Sequence, residues 1–295
     1  MTMLIDQATH LRSLVRDRRR ATVIAITSGK GGVGKSNISV NLAIKMSEAG
    51  KQVVLLDADL GLANADVLCN IDLPCNLAHV IARKRELRDV LTPAPGGFKL
   101  IGGASGLARM ADLSDADRQR LVLALGELEQ AVDIILIDTG AGISPNVLTF
   151  TRAADHVLVV TTPEPTAITD AYAVIKVVTR RESGIAGAGC DRRMSLLVNQ
   201  ARSAGEARVV YDRIAKVSRQ FLNVNVYDAG HLPLDPQVPA AVRKRTPFVL
   251  ASPSSPAAQS ITRLAIRLEQ GVAATAAVTA TSDGFFTRVA RWFGR

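Results

Sequence analysis

The stretch SGKGGVGKSN, residues 28 to 37, gathers the residue types best suited to chemistry in this chain of 295 residues. Gly29, Gly34, Lys35 and Ser36 satisfy the GxxxxGKS spacing of a phosphate-binding loop. Its small residues, Gly29, Gly31, Gly32, Val33 and Gly34, let backbone N–H groups curl around phosphate oxygens. The helix that must start at Lys35 adds a favourable field at its N-terminus, where Asn37 closes the candidate nucleotide site. Lys35 is placed to reach the β/γ-phosphates, and Ser36 to offer its hydroxyl to Mg²⁺. Lys30 is a second lysine in the same loop. One lysine suffices to hold a β/γ-phosphate, so Lys30 is either a solvated loop lysine or a second cation for charge developing on a transferred phosphoryl group.

Carboxylates sit where such a loop would need them. LLDADLGLAN, residues 55–64, sets Asp57 and Asp59 two apart at a strand end, on the same side of the sheet, unless either simply caps the following turn. IILID ends on Asp138, an acidic residue for the Mg²⁺ shell. The elements that must position these groups follow from the hydrophobic pattern. ATVIAITS, KQVVLLDAD, FKLIGG, VDIILIDTGAG, HVLVVTTP, MSLLVNQ and NVNVYDAGHLP read as strands. Helices are expected near 4–18, 35–48, 114–130 with Ser114 as N-cap, 166–182, 205–222 and 255–269. This alternation predicts an α/β fold, one doubly wound and mainly parallel sheet with helices on both faces.

Hydrophobic content of 47% against 4% aromatic suits a core of Val, Ile, Leu and Ala. Cys69, Cys75 and Cys190 form no CxxC or zinc-like spacing and read as buried thiols in a reducing cytosol. The first twenty residues are polar and close on RDRRR, and no run of eighteen apolar residues occurs. Neither a secretory signal nor a membrane span is expected, and the chain reads as cytoplasmic. A net charge of +9, spread over short basic clusters such as RKRELR and the RKR at 243–245, favours an anionic partner, lipid or nucleic acid.

KGGVGKS resembles the deviant Walker A motif of the MinD/ParA class of ATPases, over residues 22–269. That resemblance implies ATP and Mg²⁺ as cofactors and a homodimer that closes with ATP between the subunits. Lys30 would then complete the partner's site in trans, making Lys30, Lys35 and Asp59 the catalytic set. It also implies that Asp57 lies near the Mg²⁺ waters and that Asp59 positions the attacking water. DTGAG, residues 138–142, would be a switch in which Gly140 or Gly142 offers an N–H to the γ-phosphate. Asn199, at a strand end, matches an asparagine that hydrogen-bonds adenine, although such an asparagine is also ordinary turn chemistry. Pro233 and Asp235 of HLPLD fall in the loop that would line the base. An iron–sulfur reductase of the same superfamily would need cysteines in the switch regions, and DTGAGISPN has none.

Four parts are expected: an N-terminal helix (1–20), the ATPase domain (21–270), a linker (271–283) and a C-terminal amphipathic helix (284–295). DQATHLR resembles the DQAxxLR element of the FlhG/FleN family, MinD-like ATPases that regulate flagellar number and placement. Asp6, Gln7, Ala8, Leu11 and Arg12 are its fixed letters, and in that family the element stimulates the GTPase FlhF; packing on the ATPase body is the other option. On a helical wheel, Phe285, Phe286, Val289, Ala290, Trp292 and Phe293 fill one arc and Thr287, Arg288, Arg291 and Arg295 the other. Such a helix suits an anionic membrane surface, or docks on its own protein at rest. The resemblance thus implies FlhF, flagellar C-ring components and, in some relatives, a master transcription regulator as partners. It also implies peripheral attachment to the inner face of the cell membrane when ATP-bound. A MinD-type division-site or cargo positioner is the alternative; a ParA-like DNA segregation factor rests on the charge alone, and no direct nucleic-acid contact is expected.

Overall fold

The structure, a computed structural model, describes residues 20–59, 64–102, 114–180, 193–276 and 284–293. Eight strands form one sheet: β1 Thr22–Ser28, β2 Val53–Ala58, β3 Thr92–Pro93, β4 Lys99–Ile101, β5 Ile134–Ala141, β6 His156–Thr161, β7 Arg193–Ala201 and β8 Val226–Pro233. Their order is β3-β4-β2-β5-β1-β6-β7-β8, parallel throughout except for the β3–β4 edge. The chain leaves β1 for β2 on one side and later returns to place β6 on the other. β1 is therefore a switch point, where open α/β sheets form their ligand crevices.

The helices are α1 Lys35–Glu48, α2 Ala65–Cys69, α3 Leu77–Ile81, α4 Asp115–Ala131, α5 Pro145–Ala153 and α6 Pro165–Thr179. They continue as α7 Ala204–Leu222, α8 Gln237–Arg243, α9 Phe248–Ala251, α10 Pro256–Ala276 and α11 Phe285–Phe293. Because successive strand residues point to opposite faces, β1 serves two cores at once. Ile24 and Ile26 pack on the face that includes Leu42 of α1 and Leu264 of α10. Val23 and Ala25 pack on the other, with Leu121, Leu125 and Leu128 of α4 and Phe150 of α5. Burial on both faces explains why the strands read as continuous apolar runs.

α10 continues through Ala276, six residues beyond the expected domain end at 270, so the first part of the expected linker is helical. GVAATA carries three alanines, the strongest helix formers, which outweigh its lack of core periodicity. Cys69 is a buried thiol, its pKa pushed up to about 12 by burial and by Asp66, while Cys75 is only half-buried. Among the described residues no helix is long and apolar enough to cross a membrane. The DQATHLR element and Cys190 lie outside the described residues.

Candidate functional site

β1 delivers the glycine loop to the C-terminal edge of the sheet, and α1 begins directly at Lys35. Gly34 takes φ +92 at the helix entrance, a left-handed conformation that glycine adopts without strain. It supplies no side-chain cap, which leaves the N–H groups of the first turn of α1 open to an anion. Gly29 is required for another reason: a Cβ there would lie 2.3 Å from the backbone carbonyl of Asp170 in α6. Lys35 is buried, and burial holds its pKa below the usual lysine value despite Asp138 and Asp59 nearby. A phosphate would offset the solvation that burial takes from its ammonium.

Asp57 and Asp138 face each other in register on β2 and β5. The Asp57 carboxylate accepts hydrogen bonds from the backbone N–H groups of Asp59, Asn64 and Ala65, at 3.2, 3.1 and 3.2 Å. It therefore does cap the following turn, while also lying beside the metal candidate. Burial pushes the Asp138 carboxyl up to about 7, with Asp57 adding repulsion and the Ser36 and Ser39 hydroxyls opposing it. Its Oδ2 is buried and has no hydrogen-bond partner among the described residues. Hard oxygen donors with an orphaned lone pair fit a magnesium ion. Ser36 and Asp138 would hold it, with Asp57 alongside. Asp59 lies near Gly140, where an added Cβ would be 3.5 Å from its Oδ1. The Gly142 N–H is already donated to the Ser28 carbonyl at 2.8 Å.

Lys30 does not point into its own phosphate loop. Its ammonium donates to Glu164 Oε1 at 2.8 Å and to Thr166 Oγ1 at 3.1 Å, at the start of α6, and the pair is exposed. The lysine beside it holds the Glu164 carboxyl below the usual range. Glu164 and Thr166 escaped the sequence reading because only the strand order β1–β6 brings TTPEPT beside the loop. Asn199 reaches the loop too: its Nδ2 donates to the Val33 carbonyl at 2.8 Å, and its Oδ1 accepts from the Gln200 N–H. Pro233 ends β8 near it, since Ala201 pairs with Pro233. Asp235 is buried, and its two oxygens accept from the N–H groups of Gln237 and Ala257 at 2.9 and 3.0 Å. Its carboxylate thus braces the entries of α8 and α10.

The opposite end of β1 holds the C-terminal helix. Phe285, Phe286 and Val289 are 0, 2 and 0% exposed and join the core cluster of α4 and α5. Of the two fates open to this amphipathic helix, the chain shows the docked one; the side chains of Trp292 and Phe293 lie outside the described residues. Glu129 of α4 accepts the Phe286 N–H at 2.8 Å, an anion at a helix N-terminus. Arg288 donates to the Ala153 carbonyl at 2.8 Å and to Asp155 at 2.7 Å. Burial raises the Glu129 pKa, opposed by the Phe286 N–H and by Arg20.

Residues 21–184 match the AAA domain family, and residues 126–269 match the NUBPL iron-transfer P-loop NTPase family. The second region contains Cys190 and no other cysteine. The antiactivator FleN of Pseudomonas aeruginosa is 42% identical over 247 residues, covering 84% of this chain and 86% of that protein. The flagellum site-determining protein YlxH of Helicobacter pylori is 32% identical over 287 residues, 96% of this chain and 94% of that protein. Among solved structures, the MinC:MinD cell division protein complex of Aquifex aeolicus overlays with a TM-score of 0.66 at 27% identity, covering 85% of this chain and 96% of that one. MinD of Pyrococcus horikoshii, complexed with Mg-ADP, overlays with a TM-score of 0.66 over 86% of this chain and 98% of that one, a likeness of fold at 23% identity.

Proposed function

The chain belongs to the FleN/FlhG family of MinD-like P-loop NTPases, and we propose that it is an ATP-dependent dimerising ATPase that regulates flagellar number and placement. The observation that carries the switch mechanism is Lys30, a loop lysine whose charge is spent on Glu164 and Thr166 of its own chain rather than on its own phosphate site. In this reading ATP settles on the loop N–H groups and Lys35, with Mg²⁺ held by Ser36 and Asp138. The ion neutralises phosphate charge when bound. Two ATP-loaded chains then meet face to face. Lys30 leaves Glu164, crosses the interface and stabilises charge on the partner's transferring phosphoryl group. Asp59 orients the attacking water, Gly140 meets the γ-phosphate, and hydrolysis at a slow, switch-like rate releases the monomers.

Partner contacts follow the family. Residues 1–20, with Asp6, Gln7, Leu11 and Arg12, would stimulate the GTPase FlhF; C-ring components and a flagellar transcription regulator are further partners. Once undocked, Phe285, Phe286, Val289, Trp292 and Phe293 would enter an anionic membrane surface. A helix this short binds lipid weakly by itself, and two in one dimer gain from effective concentration. A MinD-type division-site role shares the core and the tail, and gives no reason for DQATHLR. Deleting residues 1–20 separates the two. Loss of FlhF stimulation with an intact ATPase supports the flagellar reading, whereas unchanged flagellar counts in a strain lacking the protein would sink it.

A further inference from the structure

Arg20 stands at the N-terminal end of β1, two residues before Thr22. Its guanidinium donates to Asp155 Oδ1 at 2.9 Å and lies 3.7 Å from Glu129 Oε2. The same two carboxylates hold α11: Glu129 receives the Phe286 N–H, and Asp155 receives Arg288. Contact is close, since a Cβ on Gly284 would lie 2.7 Å from Glu129 Oε2. Asp155 Oδ2 also accepts the Val23 N–H at 3.0 Å, which ties the cluster to β1 itself.

We propose that Arg20 is coupled to α11 through Glu129 and Asp155, so that displacing Arg20 loosens the docked C-terminal helix. The sign follows from charge. Docked α11 lies over Glu129, which is 2% exposed, and its Arg288 pairs with Asp155. Arg20 is a further cation beside both carboxylates. Without Arg20, docking α11 would shut the Glu129 carboxylate away from water with less compensation, which opposes docking. Because such linkage is reciprocal, release of α11 equally loosens Arg20. A partner that draws Arg20 away would thereby expose the tail, and lipid that takes the tail would free Arg20. The inference deepens the membrane-switch reading and rests on it for the lipid arm alone.

Hydrogen exchange on the full chain tests it. Arg20→Ala is expected to speed exchange of the α11 amides about five- to tenfold, the scale of one charge-assisted contact, with Arg20→Lys in between. Phe286→Asp, which breaks the apolar anchor, gives the rate of the undocked helix. Unchanged or slower exchange in Arg20→Ala, with fast exchange in Phe286→Asp, overturns the coupling. Equally fast exchange in the parent and Phe286→Asp overturns the docked seat and the coupling with it. In the second arm the parent with ATP meets phosphatidylglycerol/phosphatidylethanolamine vesicles, and the Val23 amide should exchange faster on binding. Tail-dependent vesicle binding that leaves Val23 protected contradicts the coupling. Absence of such binding sinks the membrane reading, while the lipid-free Arg20→Ala comparison still decides the coupling.

Discussion

β1 ends in two polar clusters about 20 Å apart, and they are finished to different degrees. At its C-terminal end Asp138 Oδ2 and Thr27 Oγ1 are buried without partners among the described residues, and Lys35 is desolvated. At its N-terminal end Glu129 and Asp155 each face cationic and N–H donors from two directions. Buried polar groups are normally satisfied, so orphans beside an open glycine loop point to a partner from outside. The loop end is built to receive a ligand. The other end already holds a segment of its own chain, α11.

The sealed end is the easier to break. Removing residues 284–295 takes three buried apolar anchors from the α4–α5 core. Burial worth ~2 kcal/mol apiece predicts a loss of about 6 kcal/mol and a thermal midpoint lower by about 12 °C or more. A tail that served only as a lipid anchor would leave the midpoint unmoved, which a melting curve reads directly. At the open end, Lys30→Ala is expected to lower turnover about a thousandfold, as loss of a transferring cation does, while the monomer still binds nucleotide. Full activity from a monomeric variant contradicts the trans role. Asp59→Ala should cut hydrolysis about a hundredfold with ATP binding retained; turnover at the parent rate would remove Asp59 from the water.

Acid sharpens the contrast. His156, next to Asp155, is buried and bonded through Nε2 to the Ser195 hydroxyl, and burial together with Arg193 pushes its pKa down to about 3. Below the ordinary histidine value near 6.5 the unfolded chain takes a proton that the folded chain refuses. Stability from this residue is therefore complete above that pH and is lost as the pH falls towards 3, at up to about 1.4 kcal/mol per pH unit. His156→Gln should flatten this slope in urea titrations, and an unchanged slope would mean that the ring protonates inside the fold. The smallest effect belongs to Glu164→Gln. Freeing Lys30 from an exposed pair should tighten ATP-dependent dimerisation about two- to fivefold, measured by sedimentation; weaker dimerisation would make Glu164 an interface residue instead.

Local spacing made the open end legible. Gly29 to Ser36, Asp57 and Asp138 announce themselves because each depends on its own loop or strand end. The partners of Lys30 did not, because Glu164 becomes its neighbour only when β6 is laid beside β1. Asn199 reads towards a base from its place at a strand end, and its contact with the Val33 carbonyl comes from the fold. The sealed end was least visible, since Arg20, Glu129, Asp155 and Arg288 come from separate elements. Amphipathicity gave α11 its apolar face without saying what covers it. α2 and α3, at five residues each, are too short for a periodic signal and are set by local caps such as the Asn76 capping box and left-handed Asn70.

Sedimentation velocity of the Asp59→Ala protein with ATP and Mg²⁺ at micromolar concentration tests the central claim, that two chains close over nucleotide through Lys30. A dimer is expected, reverting to monomer when Lys30→Ala is added. A species that stays a single chain with ATP bound, or a dimer indifferent to Lys30, would contradict it.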